Sequence, residues 1–228
     1  MNSWFIGIVT IIGTISLYVG MRKLNLKYPH PLTLPILTSS VILVIFLLLF
    51  QIPYPTYQIG GQWIEELLGP AVVALAFPLY KQRKLLTRYA VPLLSGVCCG
   101  SLIGISSGLL FTYWAGFSNE IMYSMIPKSV TTPVAIGVIN TVGGIPTLTA
   151  VLVIIAGIFG AVIHDPLFRW VRLDGFLAQG VGMGTASHAI GTGRLMDDSE
   201  KAGVASTVSL TVSAVVVSII APVFGWFI

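Results

Sequence analysis

The sequence predicts an all-α, polytopic integral membrane protein with about six full spans and two oppositely oriented re-entrant or broken-helix segments. Three observations carry this. Charged residues make up only 9% of the 228 while hydrophobic residues make up 55%, whereas a soluble domain carries about 25% charge. The charges divide the chain into charge-free runs at 1–21, 28–64, 67–80, 89–119, 129–164, 175–193 and 202–228, several of them matching the roughly 20 apolar residues of one crossing. The basic residues cluster in short gaps after alternate spans, as cytoplasmic loops require.

This composition excludes a soluble enzyme or a disordered tail. The net charge of +4 is spread through short gaps, so no basic face for nucleic acid is expected and the bilayer itself is the main surroundings. Mean hydropathy is +0.92.

Full spans are expected at about 3–21, 33–50, 63–80, 89–115, 145–163 and 203–227 within a single transmembrane domain, 1–228. Met1 to Gly7 lacks a basic leader, so the first span reads as an anchor rather than a cleaved signal. Arg22, Lys23 and Lys27 follow the first span, Lys81, Arg83, Lys84 and Arg88 the third, and Arg169 and Arg172 the fifth. These loops are expected in the cytoplasm, which puts both termini outside. Trp4, Trp63, Trp114, Trp170 and Trp226 fall near the span ends, where interfacial anchors belong.

Parity constrains what remains. Segment 116–126 lies outside and 164–174 inside, and the span at 145–163 already joins them. Residues 127–144 therefore enter and leave on one side, and 175–199 does the same from the cytoplasmic face. A full crossing at 127–142 would move Arg169 and Arg172 outside. Irregular backbone at that depth is tolerated only inside protein or beside a water-filled cavity. With a hairpin followed by a span in each, 116–163 and 164–228 read as inverted repeats, an architecture of many secondary transporters.

The first irregular stretch, Pro127 to Gly137, is spelled as a helix start. Thr132 is expected to cap and Pro133 to take the first helical position, where its missing N–H costs nothing. Lys128, Ser129, Thr131 and Thr132 with free N–H groups would form an anion site, helped by the helix dipole. In this topology Lys128 is the sole outward-facing member of the twelve basic residues. A plainer reading has Lys128 snorkelling to the interface and the threonines merely finishing a helix end.

The second stretch, Gly180 to Gly193, alternates glycines such as Gly184 and Gly191 with Thr185, Ser187 and Thr192 around His188. Such spelling permits close backbone approach and leaves donors for a ligand. His188 would contact substrate or a coupling proton; alternatively it is a neutral ring satisfied by a neighbouring helix. Zinc is not expected, since no second His or Cys has ligand spacing and His30 and His164 fall in loops or at span ends. At Gly69-Pro70 and Pro78 the third span is expected to break or kink, lining a pathway or packing against neighbours, and Glu65 or Glu66 could pair with Lys128. Cys98 and Cys99 read as packing residues. Gly104 and Gly108 suggest a close helix contact, and with Gly100 a possible homodimer face.

Three words in order, Leu68 to Lys81, Pro127 to Pro133 and Ser187 to Thr192, resemble the LrgB/CidB family of bacterial membrane proteins over nearly the whole chain. Gly193 stands where the family pattern is expected to carry Ala. The resemblance implies a multi-pass protein of the bacterial cell membrane, without a cofactor or enzymatic activity. It also implies a small holin-like partner of the LrgA/CidA type. Two roles follow from it: an antiholin-like regulator of murein hydrolase activity and autolysis, or a carrier of small monocarboxylates such as pyruvate, glycolate or glycerate. The polar half-helices favour the carrier. Carried over by position, the family words fall on Lys128, Ser129, Thr131 and Thr132 and on Ser187, His188 and Thr192.

Overall fold

The computed structural model describes residues 3–30, 33–74 and 76–226, and among these the chain is helical with no strand. The protein is an all-α polytopic membrane protein. Five helical stretches, Ser3–Lys27, Tyr54–Lys81, Ala90–Trp114, Pro146–Trp170 and Glu200–Trp226, are long and apolar enough to cross a bilayer. Leu75, inside the third expected span, and Phe227, at the end of the last, lie outside the described residues. The chain forms two compact units, residues 1–71 and 72–228.

In the first unit, helix α1 (Ser3–Lys27) packs on α2 (Pro35–Leu49) and α3 (Tyr54–Glu66). The α1–α3 contact is made by glycines. A β-carbon on Gly60 would lie 2.5 Å from the Gly7 carbonyl and 2.8 Å from Thr10 Cβ, so only a missing side chain lets the backbones meet. The Thr14 hydroxyl and the Tyr57 phenol join beside it at 3.3 Å. Helix α2 is shorter than the expected 33–50. Its 15 residues rise about 22 Å, against a hydrocarbon core of about 30 Å. Thr33 is held out of the helix instead: its hydroxyl accepts from Asn25 Nδ2 at 2.9 Å and donates to the Tyr28 carbonyl at 2.7 Å. Pro35 then opens the helix at a position needing no N–H.

Helix α3 stops at Glu66, with Leu67 as its cap before α4 (Leu68–Ala74). The cause is Pro70, which has no N–H for the Glu66 carbonyl four residues earlier and whose ring crowds it. The break expected at Gly69-Pro70 thus falls three residues upstream of the proline.

The second unit continues with α5 (Ala76–Lys81), α6 (Arg83–Arg88) and α7 (Ala90–Trp114). Next come α8 (Asn119–Met125), α9 (Thr132–Val142), α10 (Pro146–Trp170), α11 (Phe176–Ala186), α12 (His188–Asp198) and α13 (Glu200–Trp226). Helix α13 is the centre, packed by α7, α9, α11 and α12. Small residues allow this: a β-carbon on Gly180 would meet Ala205 and the Ala202 carbonyl, and one on Gly184 would meet the Ser206 carbonyl. The buried serines of α13 all have partners: Ser209 Oγ donates to the Ala205 carbonyl of its own helix at 2.8 Å, while Ser206 meets Thr192 and Ser213 meets Ser101. The apolar core lies between α7, α8, α9, α10 and α13, around Ile105, Ile126, Val134, Val153 and Val217. A second cluster joins Leu93 and Val97 to Val208 and Val212.

Helices α9, α11 and α12 have 11 residues each, about 16 Å, or half a crossing. None of the three is long enough to cross a bilayer alone. Two short helices precede a long one twice, in α8–α9–α10 and α11–α12–α13. Trp4, Trp114, Trp170 and Trp226 sit exposed at the ends of α1, α7, α10 and α13, as interfacial anchors do.

Candidate functional site

Helix α9 begins one residue earlier than its spelling suggests. Thr131, not Thr132, is the N-cap, with an extended backbone (φ −66°, ψ 146°), and Thr132 and Pro133 occupy the first two helical positions. No side chain caps the helix. Gly143, in the left-handed region at φ 96°, ends it and reverses the chain into α10, a conformation open to glycine.

The segment before α9 holds the cation. Lys128 Nζ donates to the Gly104 carbonyl of α7 at 2.5 Å and makes no ion pair among the described residues. Beside it the Ser129 and Thr131 hydroxyls are buried and have no hydrogen-bond partner among the described residues. Buried hydroxyls are almost always paired, so two orphans next to an ammonium and an uncapped helix start form a polar cluster with unmet hydrogen-bonding capacity.

The second broken helix packs on the same face of α7. Thr185 lies across from Gly100, where a β-carbon would stand 3.2 Å from its Oγ1. Ser129 lies across from Gly104 at 3.6 Å and Lys128 across from Gly108 at 2.7 Å on the same measure. Glycines four apart advance about 6 Å per step along one helix face. Lys128, Ser129 and Thr185, from two hairpins far apart in sequence, therefore line one wall. This also corrects the expectation that Gly100, Gly104 and Gly108 form an oligomer face. The stripe is occupied by the chain's own hairpins, and it offers no support for a homodimer.

The remaining residues face elsewhere. His188 follows the break between α11 and α12 with φ 41°, a strained region for a residue with a β-carbon. Its Nε2–H donates to the Val153 carbonyl of α10 at 2.8 Å, and its ring fills the space over Gly157. Ser187 packs on Gly160 of α10, Gly191 against Ser187 and Met183, and Gly184 on α13. Thr192 donates to the His188 carbonyl at 2.7 Å and meets Ser206 of α13 at 2.7 Å. Thr185 donates to the Val181 carbonyl. Gly69 and Pro70 are exposed in the first turn of α4.

A groove of about 620 Å³ runs beside α9, lined mainly by apolar side chains of α5, α9 and α13 with the hydroxyls of Thr141, Thr211 and Ser218. Pro133 contributes to its wall. Among the described residues one group could hold a metal ion, His164, Asp165 and Asp198. Asp198 lies 34 residues from His164, so sequence spacing gives no sign of it. The wall of α7 was missed for a similar reason: glycines carry no chemistry until the side chains opposite them are known.

Two broken-helix hairpins placed on one face of a long apolar helix, with a cation and unpaired hydroxyls just before α9, define a membrane protein with an internal polar site at broken helices. The chain belongs to the LrgB-like family, whose model matches residues 14–227. Its relatives include YxaC of Bacillus subtilis, 44% identical over 99% of this chain and 98% of that protein. YwbG of the same organism is 38% identical over 96% and 97%. The holin-like protein CidB of Staphylococcus aureus is 32% identical over 98% and 97%. No solved structure matches.

Proposed function

We propose that the protein is a secondary transporter of a small monocarboxylate of the pyruvate, glycolate or glycerate kind. It would sit in the bacterial plasma membrane with both termini outside and act with a small holin-like partner of the LrgA/CidA type. The observation that carries this reading is the pair of unpartnered buried hydroxyls, Ser129 and Thr131, beside the unpaired ammonium of Lys128. A carboxylate supplies what each lacks: a counter-charge for Lys128 and acceptor oxygens for two O–H donors and the N–H groups opening α9. In this reading 116–163 and 164–228 are inverted repeats, and rocking of the hairpins along α7 exposes the site alternately. Thr132, Ser187, His188 and Thr192 would complete the substrate-binding set, the last three by shaping the second hairpin.

The experiment is uptake of labelled pyruvate and glycolate into proteoliposomes containing the purified chain, with and without the partner. Saturable uptake that is lost in Lys128→Ala supports the reading. No uptake under imposed proton or sodium gradients, with folded protein and partner present, overturns it.

The name of the relative CidB, a holin-like protein, supports a second reading: an antiholin-like regulator of murein hydrolase activity and autolysis without flux of its own. Under that reading Lys128→Ala and Thr131→Ala leave the lysis phenotype intact.

A further inference from the structure

Helix α10 ends in a second polar cluster, away from the α7 wall. The His164 ring is buried, 3% exposed, and its Nδ1 stands 3.0 Å from the Ala161 carbonyl. That oxygen can only accept, so Nδ1 carries the hydrogen. In the neutral ring Nε2 then presents a lone pair, and it points at two carboxylates, Asp198 Oδ2 at 2.9 Å and Asp165 Oδ1 at 3.4 Å. Three groups that can each offer an electron pair converge there, and a positive centre between them, a proton on Nε2 or a bound cation, is what their separation requires.

The geometry points to a divalent transition-metal site of the zinc class, with His164 Nε2, Asp165 and Asp198 as ligands. Two ligands bound at about 2.1 Å in a tetrahedral shell stand about 3.4 Å apart, close to the separations found, so small carboxylate shifts complete the set. The surroundings are those of a metal centre. The Ala161 carbonyl fixes the tautomer and orientation of the ligating imidazole, as such partners do. Arg194 Nη2 holds the other oxygen of Asp198 at 3.3 Å, leaving Oδ2 for the ion. A cavity of about 240 Å³ opens on the cluster and is also lined by Asp174, Gln179 and Ser199, giving room for a fourth, water-derived ligand. One imidazole with two carboxylates suits zinc or manganese better than calcium or magnesium, which favour all-oxygen shells. The ion would tie the last residue of α12 to α10 and so pin one end of the second hairpin. This site does not depend on the transport reading.

The test is calorimetric titration of Zn²⁺ into the purified full chain, with Co²⁺ absorption to report coordination and melting temperature as a second readout. One Zn²⁺ per chain is expected, with a raised melting temperature. His164→Gln and Asp198→Asn should each weaken binding at least about tenfold. Asp165 is half-exposed, so Asp165→Asn keeps the fold and should also weaken binding if the other variants fail to fold. No Zn²⁺ binding by the wild type, equal binding of Mg²⁺, or undiminished affinity in Asp165→Asn would overturn the proposal, the cluster then being held by a proton on His164.

Discussion

The Lys128 ammonium occupies the space that a side chain on Gly108 would take: a β-carbon there would lie 2.7 Å from Nζ. The same face of α7 receives Ser129 at Gly104 and Thr185 at Gly100. The bareness of three glycines is thus what admits two hairpins to one wall.

Gly108→Ala should separate site from fold. The atom it meets is the tip of a flexible chain, so Lys128 can swing off the Gly104 carbonyl without moving a helix. Alanine in a helix interior is favoured over glycine by roughly 1 kcal/mol. Thermal unfolding in detergent is expected to show unchanged or slightly raised stability. Carboxylate uptake in proteoliposomes is expected to fall, though no further than in Lys128→Ala.

Gly184→Ala should do the reverse. Its β-carbon would meet the Ser206 carbonyl at 2.5 Å and the Leu210 amide nitrogen at 2.8 Å, and backbone cannot swing aside. Overpacking of this kind costs about 1–3 kcal/mol. Gly182 has nothing within 4 Å of its would-be β-carbon, so Gly182→Ala serves as the tolerated control. Equal melting temperatures for the two variants would contradict the α11–α13 packing.

What could be read in advance divides along physical lines. Charge-free runs carried the helical membrane class, because burial of charge and of unpaired backbone in lipid is prohibitive whatever the neighbours. Partner choice was not legible. The stripe Gly100, Gly104, Gly108 has the same spelling whether it meets another chain or its own hairpins. The cap slipped from Thr132 to Thr131 because either threonine suits a position before Pro133. His164 read as an isolated span-end histidine because Asp198 reaches it through the fold of the second hairpin.

His188 combines backbone strain with a tertiary hydrogen bond, and substitutions can separate them. Asparagine tolerates positive φ better than other residues with a β-carbon, whereas valine is penalised by about 1–3 kcal/mol there. Both lose the bond to the Val153 carbonyl. His188→Val is therefore expected to melt below His188→Asn, with His188→Asn below wild type. If valine and asparagine were equally tolerated, the φ of 41° would not describe the folded protein.

Ser101 of α7 and Ser213 of α13 are fully buried and meet at 3.2 Å, so they report whether polar contacts or close packing hold the central helices together. Interhelical hydrogen bonds within membranes average about 0.6 kcal/mol in double-mutant cycles. Removing both hydroxyls of a buried pair can be nearly neutral, while removing one strands the other. A stranded serine on a helix, however, turns to its own carbonyl four residues back, as Ser209 already does. The two single alanine variants and the double variant are therefore each expected to lie within about 1 kcal/mol of wild type by reversible unfolding, with a coupling near 0.6 kcal/mol. A coupling several times larger would make this hydroxyl pair, rather than the glycine contacts at Gly180 and Gly184, the main tie that α13 makes to its neighbours.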